Sequence, residues 1–253
     1  MEPVTGLVRT AAGKVIGEAK KESDGFLKAA LAEPGKALSS LLALPINKRL
    51  FRNLVKATAE ANRVLKEAGL SPGQVPLSII HPALQAAALE EDPNLQSAWA
   101  NLLANAADPR HKDKVLPAFV AILREITPTD ALFLSALYQD VMALVSKERR
   151  PFVEIQFDIF GLKQIYDAAL FGHVPKPPGT VVGIAVDNRF LTLVEIMVRH
   201  GILTERTPLL PMQTKVPMTQ SVTKTKWSLS NLGWSFMAAC QTPTVTPSSA
   251  PQK

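Results

Sequence analysis

Asp92–Asp130, DPNLQSAWANLLANAADPRHKDKVLPAFVAILREITPTD, decides the fold, because its local chemistry spells out three helix starts. The Asp92 carboxylate can accept from orphan N–H groups, and Pro93 supplies the pre-set φ of a first helical residue. Leu95, Trp99, Leu102, Leu103 and Ala106 then recur at the α-helical period, so the spacing predicts a core helix. Pro117 opens the next apolar turn, which carries Phe119, Val120, Ile122, Leu123 and Ile126, and Thr127-Pro128-Thr129-Asp130 is a capped start for a third helix. The first two are joined by a charged loop with Arg110, His111, Lys112, Asp113 and Lys114.

A chain of 253 residues that is 47% hydrophobic can build one large or two ordinary cores, which excludes disorder of the whole. The single cysteine, Cys240, excludes an internal disulfide framework and a cysteine zinc site, and it fits a reducing cytoplasm. The start, MEPVTGLVRTAAGK, lacks the continuous apolar core of a signal peptide, and no later run reaches the roughly 18 apolar residues of a spanning helix. A soluble cytoplasmic protein with no integral membrane insertion is therefore expected. Net charge is +6, and from Thr204 onward five basic residues face Glu205 alone. A dedicated nucleic-acid domain carries a denser stripe of Lys and Arg, so solubility is the favoured reading of that excess.

In the front half, Val4–Glu22 reads as a weak amphipathic helix, with Val4, Leu7, Val8, Ala11 and Val15 on one side. Gly6, Gly13 and Gly17 each weaken it by about 1 kcal/mol relative to Ala, so it needs a partner surface. Docking on the rest of the protein is favoured over a membrane. Ser23 or Asp24 is expected to cap a short helix holding Phe26, Leu27, Ala30 and Leu31, and Ala37–Leu44 is a third apolar piece. Pro45 begins a long helix with Leu50, Leu54, Ala57, Ala61, Val64 and Leu65 inside and Gly69 at its end. Its outer face sets Lys48, Arg49, Arg52, Lys56, Arg63 and Lys66 against Glu60 and Glu67, read as a solvated face ahead of a phosphate-binding patch. Pro76 and Pro82 predict that Val75–Ile80 is extended, with His81 capping or packing at the joint.

In the back half, Pro128–Lys147 is a helix, Val153–Ile159 alternates like a half-buried strand, Leu162–Leu170 is a helix and Val174–Gly179 a loop. Val186–His200 is a helix ended by Gly201, and Ile202–Thr204 can pair with Lys226–Leu229 around a Pro-rich tip, Thr207–Thr225. A last short helix runs through Cys240. This order resembles a winged helix-turn-helix domain, with Leu229-Ser230-Asn231-Leu232-Gly233 in the place of the L-T-x-x-G run that closes such wings. Arg189, Thr192, Glu195 and Arg199 form one stripe of the candidate recognition helix, and Lys215, Lys224 and Lys226 are the wing cations suited to phosphates. The stripe is narrow and holds a carboxylate, whereas base reading usually uses several outward Arg, Asn or Gln, so packing or protein contact is favoured.

The expected fold is mainly α, an N-terminal helical bundle followed by a winged-helix-like α/β C-terminal domain. Residues 1–36 form a helical extension, 37–127 a central helical domain, 128–240 the winged-helix-like domain and 241–253 a disordered tail.

Ile80-His81-Pro82-Ala83-Leu84, Trp99-Ala100-Asn101-Leu102-Leu103-Ala104, Val115-Leu116-Pro117-Ala118-Phe119-Val120-Ala121-Ile122-Leu123 and Pro128-Thr129-Asp130-Ala131 together resemble the abortive-infection alpha (Abi-alpha) family of bacteria. The shared motif is carried by Pro82, Trp99, Asn101, Leu102, Leu103, Pro117 and Phe119. Leu116 stands where the family often has His, and Gly201-Ile202-Leu203 stands for its G-L-I turn. The resemblance covers roughly Ala37 to Cys240. It implies antiviral defence, in which infected cells stop growing or die, and it carries no catalytic residues with it.

The residues themselves offer no P-loop, no dinucleotide glycine pattern and no G-x-S-x-G, and His81, His111, His173 and His200 are scattered. Asp108 and Asp113 flank His111, a set able in principle to hold a metal, but solvated loop charges are the favoured reading. No catalytic set, cofactor or metal is expected. Two readings stay open: a defence protein acting through an unidentified protein partner, or a DNA-binding regulator. Oligomeric state is not legible.

Overall fold

The computed structural model describes residues 18–31, 48–110, 114–148, 155–172, 188–206 and 225–243. Nine helices and one two-stranded sheet stand among them. They fall into two compact units: one contains Met1–Glu125 and Ala239–Lys253, the other Ile126–Ala238. The second is thus an insertion in the first. The readings of Val4–Val15, Ala37–Leu44, Pro45, His111–Asp113, Val174–Gly179 and the tip with Lys215 and Lys224 lie outside the described residues.

The first unit begins with α1 (residues 18–30), which is continuous through Ser23. Ser23 is therefore no cap. It is buried, and its hydroxyl lies 2.7 Å from that of Thr58. Helix α2 (Lys48–Glu67) buries Leu54, Ala57, Ala61, Val64 and Leu65, an amphipathic spacing, and packs chiefly on the two helices that follow. Gly69, at φ 72°, ends it, with the Leu70 N–H reaching back to the Leu65 carbonyl at 2.8 Å.

Helix α3 (Leu77–Leu89) overturns the extended reading of Val75–Ile80, and His81 lies inside it. Pro82 sits in its interior at a cost of about 3 kcal/mol. Burying Ile79, Ile80 and Leu84, at about 1.5–3 kcal/mol each, outweighs that cost. Asn53 of α2 closes its end, donating to the carbonyls of Ala88 at 3.2 Å and Glu90 at 2.9 Å.

Helix α4 (Pro93–Ala106) starts as its residues dictate: the Asp92 carboxylate accepts from the Asn94 N–H at 2.9 Å and the Leu95 N–H at 3.1 Å. Leu95, Trp99, Leu102, Leu103 and Ala106 are buried, and so are Gln96, Ala100, Ala104 and Asn105, which makes α4 the central helix of the unit. Helix α5 (Pro117–Glu125) buries Phe119, Val120, Ile122 and Leu123.

The second unit opens on α6 (Pro128–Glu148) with a reciprocal capping box. The Thr127 N–H donates to Asp130 at 2.7 Å, and the Asp130 N–H to the Thr127 hydroxyl at 3.3 Å. The strand expected over Val153–Ile159 is not formed among the described residues. Phe157 alone bridges Trp227, Asp158 caps the Gly161 N–H at 2.8 Å, and Ile159 begins α7 (Ile159–Phe171). Phe133, Tyr166 and Phe190 of α8 (Asn188–Arg199) form an aromatic cluster with centroids 5.2–6.5 Å apart. Strands β1 (Leu203–Arg206) and β2 (Lys226–Leu229) pair antiparallel, with Leu203 opposite Leu229.

Helix α9 (Asn231–Ala239) then carries the chain out of the second unit. Gln241, expected to open a disordered tail, belongs with Thr242 and the buried Pro243 to the first unit.

Candidate functional site

In the second unit, Arg189, Thr192, Glu195 and Arg199 all lie exposed on α8, while Phe190, Leu193, Val194 and Met197 face inward. The turn geometry alone produces that separation. Arg189 donates to the Thr129 hydroxyl at 3.0 Å, and the Thr192 hydroxyl bonds back to the Asn188 carbonyl at 2.9 Å. Lys226, at the start of β2, stands 3.5 Å from Asp158. The stripe therefore presents two guanidinium groups and one carboxylate, with Lys226 tied to an acid. The Lys163 ammonium, by contrast, is buried, bonded to Asp167 at 2.5 Å and 5.6 Å from the centroid of the Tyr166 ring.

The basic outer face of α2 is largely matched by acids and amides. Arg49 pairs with Glu91, Arg63 with Glu60 and Glu67, Lys66 with Glu22, and Lys56 donates to Gln96 at 2.6 Å. Lys66, with Asn62, holds the Glu22 carboxyl below its usual range. These exposed pairs contribute little stability each, but they cancel the cationic field a phosphate would need.

Four of the seven family-motif residues serve the core. Trp99, Leu102, Leu103 and Phe119 are buried, Pro82 lies within α3, and Pro117 is the exposed first residue of α5. Asn101 does something the spacing did not reveal: its amide donates to the Cys240 carbonyl at 3.0 Å. One turn on, the fully buried Asn105 donates to the carbonyls of Ala239 at 2.9 Å and Gln241 at 2.8 Å. Lys114 donates to the Asn105 side-chain oxygen at 3.0 Å, which fixes the amide with its N–H groups toward the returning chain. Burial pushes the Lys114 ammonium down, opposed by the nearby Asp108 carboxylate.

Asp108 is itself buried and engaged by the Arg110 backbone N–H at 2.9 Å and its guanidinium at 2.8 Å. His111 and Asp113 lie outside the described residues, and among the described residues no group of three His, Cys, Asp or Glu is placed to hold a metal. Burial pushes the Cys240 thiol up to about 12, far from a reactive thiolate.

Among the described residues no helix is long and apolar enough to cross a membrane. Neither a curated protein nor a solved structure matches the chain. Residues 48–240 match the Abortive infection alpha family, from the first residue of α2 to Cys240 in the returning segment, and the chain belongs to that family.

Proposed function

We propose that the protein acts in abortive infection, in the bacterial cytoplasm, by binding a protein partner and not by catalysing a reaction. Family membership supports the setting. One observation carries the mode of action: at one end of the first unit, large apolar side chains face outward where polar contacts would suffice. Leu89 is 66% exposed and Phe51 42%. Asn53 bonded to Ala88 and Arg49 paired with Glu91 put the start of α2 beside the end of α3, so both residues flank that end. Buried polar groups in the same unit are meanwhile spent on internal bonds, as Asn53, Asn105 and Asp108 are.

The test is phage plating and cell survival in a susceptible host expressing the chain. Phe51→Glu with Leu89→Glu should abolish protection while the purified chain stays folded, since neither side chain is in the core. Full protection from that double variant would overturn the proposal.

A second reading has its own support. The β1–β2 pair directly follows α8, whose exposed stripe includes Arg189, Thr192 and Arg199, an order in keeping with a winged helix used on DNA. Glu195 in the stripe and the Lys226–Asp158 pair weigh against it.

A further inference from the structure

Helix α2, within the first unit, opens with Lys48, Arg49 and Arg52 and has no acid in its first turn. That arrangement is unfavourable for the folded chain alone. A cation at a helix N-terminus opposes the macrodipole, and Lys48 with Arg52, like Arg52 with Lys56, is a like-charge pair four residues apart. Elsewhere on the helix each cation is answered: Arg49 by Glu91, Lys56 by Gln96, Arg63 by Glu60 and Glu67, and Lys66 by Glu22. Among the described residues, Lys48 and Arg52 have no such partner. At the α-helical period they fall within about 100° of arc with the exposed Phe51 and the half-buried Val55. Two unanswered cations therefore border an apolar strip that the fold leaves uncovered.

Resting on the protein-contact reading, we propose that this strip takes an acidic amphipathic segment of the partner protein, with a carboxylate on each of Lys48 and Arg52 and an apolar side chain on Phe51 and Val55. Bound carboxylates cancel the like-charge repulsion and complement the dipole together, so the charge pattern that costs the free chain stability favours the complex. A nucleic-acid backbone is the poorer fit. It calls for a longer row of cations, whereas the acids along the rest of α2 confine the unanswered charge to one turn beside an aromatic ring.

Variants of the full chain test it. Lys48→Glu with Arg52→Glu repels the acids and should lower phage protection about tenfold or more. The same reversal removes the repulsion within α2 and suits its dipole, so hydrogen exchange of α2 should slow about threefold. Lys48→Arg, which keeps the charge, should protect like the parent. In infected cells, p-benzoylphenylalanine in place of Val55 should crosslink on irradiation to a protein segment rich in Asp and Glu, and the charge reversal should abolish that crosslink. Full protection from the reversed chain, faster exchange of its α2, a loss of protection with Lys48→Arg, no crosslink, or a crosslink to nucleic acid, lipid or a segment without excess acids would overturn the proposal. If the reversed chain protects while Phe51→Glu with Leu89→Glu does not, protein contact stands and only the acidic chemistry of the partner falls. Full protection from both variants removes protein contact through this end as well.

Discussion

Replacing Asn105 by Ala removes a fully buried amide and strands three partners: the carbonyls of Ala239 and Gln241 and the Lys114 ammonium. A buried polar group left without its partner costs about 1–3 kcal/mol, and water can reach Lys114, which is only half-buried, so the sum is about 3–5 kcal/mol. Against a typical total of about 5–15 kcal/mol this is a large share of the stability of the first unit. In urea, with a slope of about 2 kcal/mol per molar, its midpoint should fall by about 2 M. Pulse hydrogen exchange along the titration scores α4 and α7 separately, so the loss can be assigned to its unit. Asn101→Ala, which removes one bond at a partly exposed site, should cost only about 0.5–1.5 kcal/mol. An Asn105→Ala midpoint within about 0.3 M of the parent, or a fall confined to α7, would show that these bonds do not hold the first unit together.

Thr127→Ala breaks the capping box of α6 and should lower the stability of the second unit by about 1 kcal/mol, read from urea denaturation of α6 and α7. Glu22 should make the docking of α1 acid-sensitive. Its folded pKa lies below the ordinary 4.5, so its contribution is complete above that value and disappears as pH falls through the lower folded value. Exchange of α1 amides should accelerate over that range, and Glu22→Gln should remove the acid step. Asp92→Ala should cost about 1 kcal/mol in the first unit, through the two N–H groups it caps, measured by the same urea titration.

Local chemistry was legible at several places where the deciding partners sit within a few residues. Asp92, Thr127 with Asp130, and Gly69 do what their neighbours dictate. The alternation over Val153–Ile159 misled because, among the described residues, only Phe157 pairs with a strand, and the chain turns into a helix at Ile159. Ile155 and Ile159 are both buried, and Asp158 between them is a helix cap. Pro82 misled because a local bias against helix is smaller than the burial of three large aliphatic side chains on α3. Ser23 and Asn105 were beyond reach for another reason. Ser23 finds Thr58 35 residues away, and Asn105 finds Ala239 134 residues away, so neither partner is visible in a window of sequence. The second Asn of A-N-L-L-A-N, spaced one turn from the first in an apolar stretch of the helix, was the local sign of that contact.

The measurement that bears most directly on contact with protein, as opposed to DNA, is binding of the full chain to duplex DNA at 50 and at 200 mM salt. A protein contacting several phosphates loses about 10³-fold or more in affinity over such a range. Weak binding at both salts is expected, and Arg189→Glu with Arg199→Glu should leave it unchanged. Tight binding at low salt that collapses at high salt, and vanishes in that double variant, would contradict it.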